Sequence, residues 1–118
     1  MTVALGAVTF DCADALALAQ FWSAVLEHPV DAGGSDDFAA IGLSDDHKLR
    51  PAWLFLKVPE AKMAKNRFHP DLTSPDQPAE VDRVVALGAT RLGDFDEAGI
   101  RWTTLTDLEG NEFDIAAS

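Results

Sequence analysis

The sequence predicts an α+β fold of two successive modules, and three observations lead there. An apolar, β-prone run gives way to a helical pattern near the N-terminus, and the same order returns in the second half. Each helical pattern is followed by short apolar or alternating segments divided by glycine-containing or polar turns, as antiparallel strands are. With 118 residues, 47% of them hydrophobic, the chain suffices for one packed domain and is too short for two independent ones. We therefore expect a single domain over 1–118, with module one about 1–60 and module two about 61–118.

In the first module, Val3 to Phe10 is the opening strand and ends at Asp11. Leu18, Phe21, Trp22 and Val25 then recur at the spacing of one helix face, with Asp14 as N-cap and His28-Pro29 as the stop. Phe38 to Leu43 and Ala52 to Val58 read as antiparallel strands, set apart by Gly33-Gly34 and by the polar stretch Ser44 to Arg50.

In the second, Arg67 to Leu72 reads as a strand, and Ser74-Pro75-Asp76-Gln77 has the Ser-x-x-Gln form of a capping box, with Pro78 blurring the first turn. Val81, Val84 and Val85 supply the buried face of a helix that Gly88 closes. Thr90 to Phe95, a turn at Glu97-Ala98-Gly99, and Ile100 to Thr106 follow. In the last of these, Ile100, Trp102 and Thr104 share one face and Arg101, Thr103 and Leu105 the other. Glu112 to Ala116 is the closing strand. Asp11 and Asp71 stand in the same place before the two helices, so the repeat is one of structural order with almost no residue identity.

A net charge of -11 repels phosphate backbones and anionic membranes, which argues against nucleic acid or a membrane as partner. Asp36-Asp37 and Asp45-Asp46 fall in turn-like sequence and read as solvated surface charge rather than as steering for a cationic ligand. The single cysteine, Cys12, excludes an internal disulfide and reads as a small residue at a strand end. The longest apolar runs, such as Ala52 to Leu56, are too short to cross a bilayer, and the N-terminus lacks the build of a signal peptide, so a cytoplasmic location is expected.

Three runs carry a resemblance: Lys65-Asn66-Arg67-Phe68-His69-Pro70-Asp71-Leu72, Glu80-Val81-Asp82-Arg83-Val84-Val85-Ala86-Leu87-Gly88-Ala89-Thr90, and Asp107-Leu108-Glu109-Gly110-Asn111-Glu112-Phe113. With them the chain resembles the glyoxalase/bleomycin-resistance superfamily, also called vicinal oxygen chelate proteins, and within it the small glyoxalase-like domains. The resemblance covers nearly the whole chain and is densest in the second half. It implies two tandem β-α-β-β-β modules forming a cup-shaped mixed sheet, and a homodimer.

Metal-dependent members of that superfamily take one ligand each from the first and last strand of each module. On that pattern His69 and Asp114 stand at two of the four positions, whereas Thr9 and Phe55 or Leu56 stand at the others and are no ligands for a cation. Asp11 and Asp71 could substitute, or could cap the helices after them. A divalent metal ion is thus the one cofactor in question, with an incomplete ligand set, since an open catalytic geometry uses three or more protein ligands. Without a metal, His69 could act as general acid or base if Asp71 or Asp114 orients it. Phe38, Trp53, Phe55 and Trp102, together with Thr9, could line an aromatic cup for a small organic ligand, or the rings could be core, as Trp22 is read to be. The expectation is a glyoxalase-like protein that binds or converts a small organic molecule. The alternatives are a metal-free, drug-sequestering protein of the bleomycin-resistance kind, or a divalent-metal-dependent lyase or dioxygenase-type enzyme.

Overall fold

The computed structural model describes residues 2–118, which form two compact units, one ending at Ala61 and the other spanning Lys62–Ser118. No helix among the described residues is long and apolar enough to cross a membrane.

The first unit runs β1 (Ala7–Cys12), α1 (Ala15–Leu26), β2 (Phe38–Ile41), a 3-10 turn at Asp45–His47 and β3 (Ala52–Lys57). β3 is central, parallel to β1 and antiparallel to β2. The strand expected at Val3 starts later, at Ala7, and continues through Cys12; Val3 and Leu5 are exposed beyond the sheet. A strand between α1 and β2 is reduced to one bridge, Val30 to Ile41. Pro29 just before it has no amide hydrogen to donate, and Gly33-Gly34 just after it weakens a strand, so a ladder cannot extend.

Asp14 caps α1 as expected, its carboxylate accepting the Ala17 amide at 3.1 Å. The helix stops before Pro29, at a left-handed Glu27 whose amide returns to the carbonyl of Ser23. Its buried face is Ala15, Leu18, Ala19, Phe21, Trp22 and Val25. Trp22 is 0% exposed and packs on Phe10, Trp53 and Phe21, with Phe55 completing the cluster through Phe10. This ring cluster between helix and sheet is the core of the unit.

The second unit runs β4 (Asp71–Ser74), α2 (Gln77–Ala86), β5 (Thr90–Glu97), β6 (Ile100–Thr106) and β7 (Glu112–Ala117). Its sheet order is β4-β7-β6-β5, with β4 parallel to β7 and the other pairs antiparallel. The first sheet, β1-β3-β2 with the Val30 bridge outside it, repeats that order with one outer strand cut to a single residue.

Three expectations for this unit need correcting. β4 begins at Asp71, four residues later than the Arg67 start, so His69 lies ahead of the strand and Asp71 opens it instead of capping a helix. The cap of α2 is Asp76, whose carboxylate accepts the Ala79 amide, while the Ser74 hydroxyl accepts the amide of Asp76 one turn earlier. Gln77, freed from a capping box, donates instead to the Thr103 hydroxyl at 2.8 Å and the Ile115 carbonyl at 3.0 Å. Those bonds place Thr103 and Ile115 on the α2 side of the sheet, where Val81, Val84, Leu105 and Phe113 are also buried. Val85 is not part of that face; it is 39% exposed. Gly88 follows the helix with φ +123°, a conformation that suits glycine.

Candidate metal centre on the second unit

The strand register builds the site. Asp71 opens β4 directly beside Asp114 of β7, and Thr104 of β6 lies opposite Asp114 from the other side. Because alternate residues of β6 and β7 point to opposite faces, Asp114, Thr104 and Trp102 share the face turned away from α2.

His69 is delivered to this face by the turn of chain before β4. The Asp114 amide donates to the carbonyl of Pro70 at 3.1 Å, which fixes the residue between His69 and Asp71. His69 Nδ1 then lies 2.8 Å from Asp71 Oδ1 and 3.8 Å from Asp114 Oδ2. The second oxygen of Asp114 accepts the Thr104 hydroxyl at 2.6 Å, which turns Oδ2 toward the imidazole. With its proton on Nδ1, His69 would donate to Asp71 and keep Nε2 as a free base.

The imidazole and the two carboxylates each offer a ligand atom, and these atoms all lie within 4.8 Å of one another. One nitrogen and two oxygen donors so spaced fit a hard or borderline divalent cation. Asp71 supplies the third donor that the pattern of His69 and Asp114 alone lacks. Asp114 is the most enclosed of the three, with 19% of its side chain exposed.

The other expected site residues fall elsewhere. Trp102 is on the same face as Asp114, stacked on Phe95 with ring centroids 5.3 Å apart. Thr9, Phe38, Trp53 and Phe55 belong to the first unit. There Phe55, 0% exposed, and Trp53 are part of the ring cluster under α1 and not an open wall, because alternation sets both on the helix side of β3. Thr9 and Phe38 lie on the opposite side of that sheet and are exposed.

Thr104 is the site residue that sequence reading missed: nothing marks its hydroxyl apart from those of its neighbours until the β6–β7 register is known. The Asp107–Asp114 run also divides into two roles. Asp107, 4% exposed, accepts the backbone amides of Glu109 and Asn111 at 2.9 and 3.0 Å and the Asn111 side-chain amide as well. Within the fold it closes the β6–β7 turn and so sets the register that aligns Thr104 with Asp114. Asp107→Ala, which leaves those donors without their carboxylate, is expected to lower unfolding free energy by about 1–3 kcal/mol in urea titration. A variant as stable as the parent would mean that the turn closes without Asp107.

The model of the glyoxalase-like domain family matches residues 7–116. No curated protein matches the sequence. Solved structures do. A glyoxalase/bleomycin resistance protein/dioxygenase family enzyme from Burkholderia phytofirmans PsJN aligns over 98% of both chains, at 17% identity and TM-score 0.76. The fosfomycin resistance protein FosX from Listeria monocytogenes aligns over 100% of this chain and 95% of its own, at 13% identity and TM-score 0.76. A mutant of that protein, complexed with Mn(II) and 1S,2S-dihydroxypropylphosphonic acid, aligns over 98% and 90% at 11% identity and TM-score 0.77. At such identities the likeness is one of fold. The family match spans nearly the whole sequence, and this chain belongs to the glyoxalase-like domain family.

Proposed function

We propose that the chain binds a divalent cation through His69, Asp71 and Asp114 and converts a small, oxygen-bearing organic molecule beside it. The observation that carries this reading is the convergence of three ligand atoms within 4.8 Å. Once bound, the cation would supply Lewis acidity toward a substrate oxygen. The chain's own groups do the positioning. Thr104 holds one oxygen of Asp114 and leaves the other toward His69. Asp71 restrains the imidazole, and the Phe95–Trp102 stack offers an apolar wall for a carbon skeleton. That FosX is found with Mn(II) and a small dihydroxy phosphonate supports the class of chemistry.

The stacked pair also favours a second reading. Phe95 is 45% exposed, and two carboxylates with stacked rings could hold a cationic aromatic drug without any metal. One experiment separates the two. Protein purified without a histidine tag and stripped with chelator is titrated with Mn2+ and, separately, with metal-free bleomycin, following melting temperature and tryptophan fluorescence. The metal reading expects Mn2+ to raise the melting temperature of the parent and to leave His69→Ala unmoved. A parent that ignores Mn2+, Fe2+ and Zn2+ but responds to the drug would overturn it in favour of sequestration.

A further inference from the structure

Residues 62–70 enter β4 without regular secondary structure, yet they end in the imidazole of the candidate centre. Glu112, the first residue of β7, ties their upstream part. Its Oε1 accepts the backbone amide of Asn66 at 3.1 Å and lies 3.1 Å from the Lys62 ammonium, which also donates to the carbonyl of Ala64. The Glu112 side chain is only 14% exposed. Burial pushes its carboxyl group up, but the Asn66 amide, the Lys62 ammonium and the amide of Glu112 itself outweigh burial and hold it below the ordinary glutamate range. The downstream part is tied by Asp114, which binds the Pro70 carbonyl through its amide and faces His69 through its side chain. Both anchors thus sit on one strand, two residues apart, with side chains on the same face.

Between the anchors, Met63 is 90% and Phe68 77% exposed, so apolar burial does not hold the segment down. Its order then rests on polar ties, and Asn66 is only three residues from His69. Three residues span at most about 10 Å, so releasing Asn66 widens the space open to His69 directly.

We propose that Glu112 is a positioning residue for the candidate centre: by pinning Lys62 and Asn66 to β7 it sets where the His69 imidazole stands against Asp71 and Asp114. The inference rests on His69 being a working group of that site, and the test keeps the two apart. Lys62, Lys65 and Arg67 make the segment a substrate for trypsin. In Glu112→Ala, cleavage within 62–67 should accelerate at least about tenfold while the near-ultraviolet dichroism of the tryptophans stays that of the parent. Glu112→Gln, which keeps an acceptor for Asn66, and Lys62→Gln should fall between the two, and they carry the test if Glu112→Ala does not fold.

The decisive readout is the imidazole itself, followed by nitrogen-15 NMR with His28 and His47 as internal references. His69 resonances should shift or broaden in Glu112→Ala while those of the other two histidines hold, and Mn2+ affinity should fall by roughly 10–100-fold. Faster cleavage with an unmoved His69, or cleavage at the parent rate, would overturn the proposal. If neither protein binds Mn2+ but His69 moves, the positioning role stands and the metal reading falls.

Discussion

Trp22→Ala is expected to unfold the first unit more readily than any other single truncation in it, lowering stability by about 3–5 kcal/mol. The indole has 0% exposure and lies 5.0 Å from the Trp53 ring, 5.7 Å from Phe10 and 5.4 Å from Phe21, ring centre to ring centre. From α1 it reaches Phe10 of β1 and Trp53 of β3, so its removal opens a cavity that neither helix nor sheet can fill alone. Loss of transfer free energy and of the tilted and edge-on ring contacts therefore add. Phe38→Ala is the control, because Phe38 is 41% exposed and makes no ring contact among the described residues; it should change stability by less than about 1 kcal/mol. Urea titration followed by far-ultraviolet dichroism measures both. Equal effects of the two substitutions would mean that the ring cluster is not the core of the unit.

The contrast between Trp22 and its partners shows what was legible in the chain. Trp22 is marked as core because it sits in a 3.6-residue pattern with Leu18, Phe21 and Val25, and a helix has one face to bury. Trp53 and Phe55 carry a period of two, which says that they share a face but not which face α1 covers. Local chemistry was read correctly where one residue decides it, as at Asp14 or Gly88. It misled where two caps competed. Ser74 and Gln77 imitate a capping box, but Asp76, adjacent to the helix, accepts the Ala79 amide and leaves Gln77 free to reach Thr103. The surface charges behaved as turn sequence suggests: Asp45 pairs with Lys48 and Asp36 with Lys57, all with well-exposed side chains.

For the site, spacing was informative and register was not available. Asp114 is identifiable through the family resemblance, which implies a carboxylate three residues after the Gly110-Asn111 turn. His69 looked like a strand residue, yet the β4 ladder begins two residues later, and its place depends on ties from β7 that no local pattern reveals. By sequence Asp71 can be helix cap or ligand; a second aspartate, Asp76, takes the cap and leaves Asp71 beside Asp114.

Asp114→Asn is the substitution with the largest expected effect on the centre. The amide keeps the size of the side chain and can keep an oxygen for the Thr104 hydroxyl, so the β6–β7 contact survives while the charge is lost. Stability should hold or rise slightly, because Asp71 stands beside Asp114 in the register and two neighbouring carboxylates repel one another. Cation binding should suffer far more. Thr104→Val removes only the partner that orients Asp114 and is expected to weaken Mn2+ by roughly 10–100-fold, the usual range for groups behind a ligand. Asp114→Asn removes a charged ligand itself and should weaken it beyond that range. The two effects should not add in the double variant, since Thr104 acts through the carboxylate that the other substitution neutralises. Calorimetric titration of the four proteins with Mn2+ measures the cycle. Asp114→Asn with the parent's affinity would show that any cation is held without Asp114, and additive losses would show that Thr104 touches the site by another route.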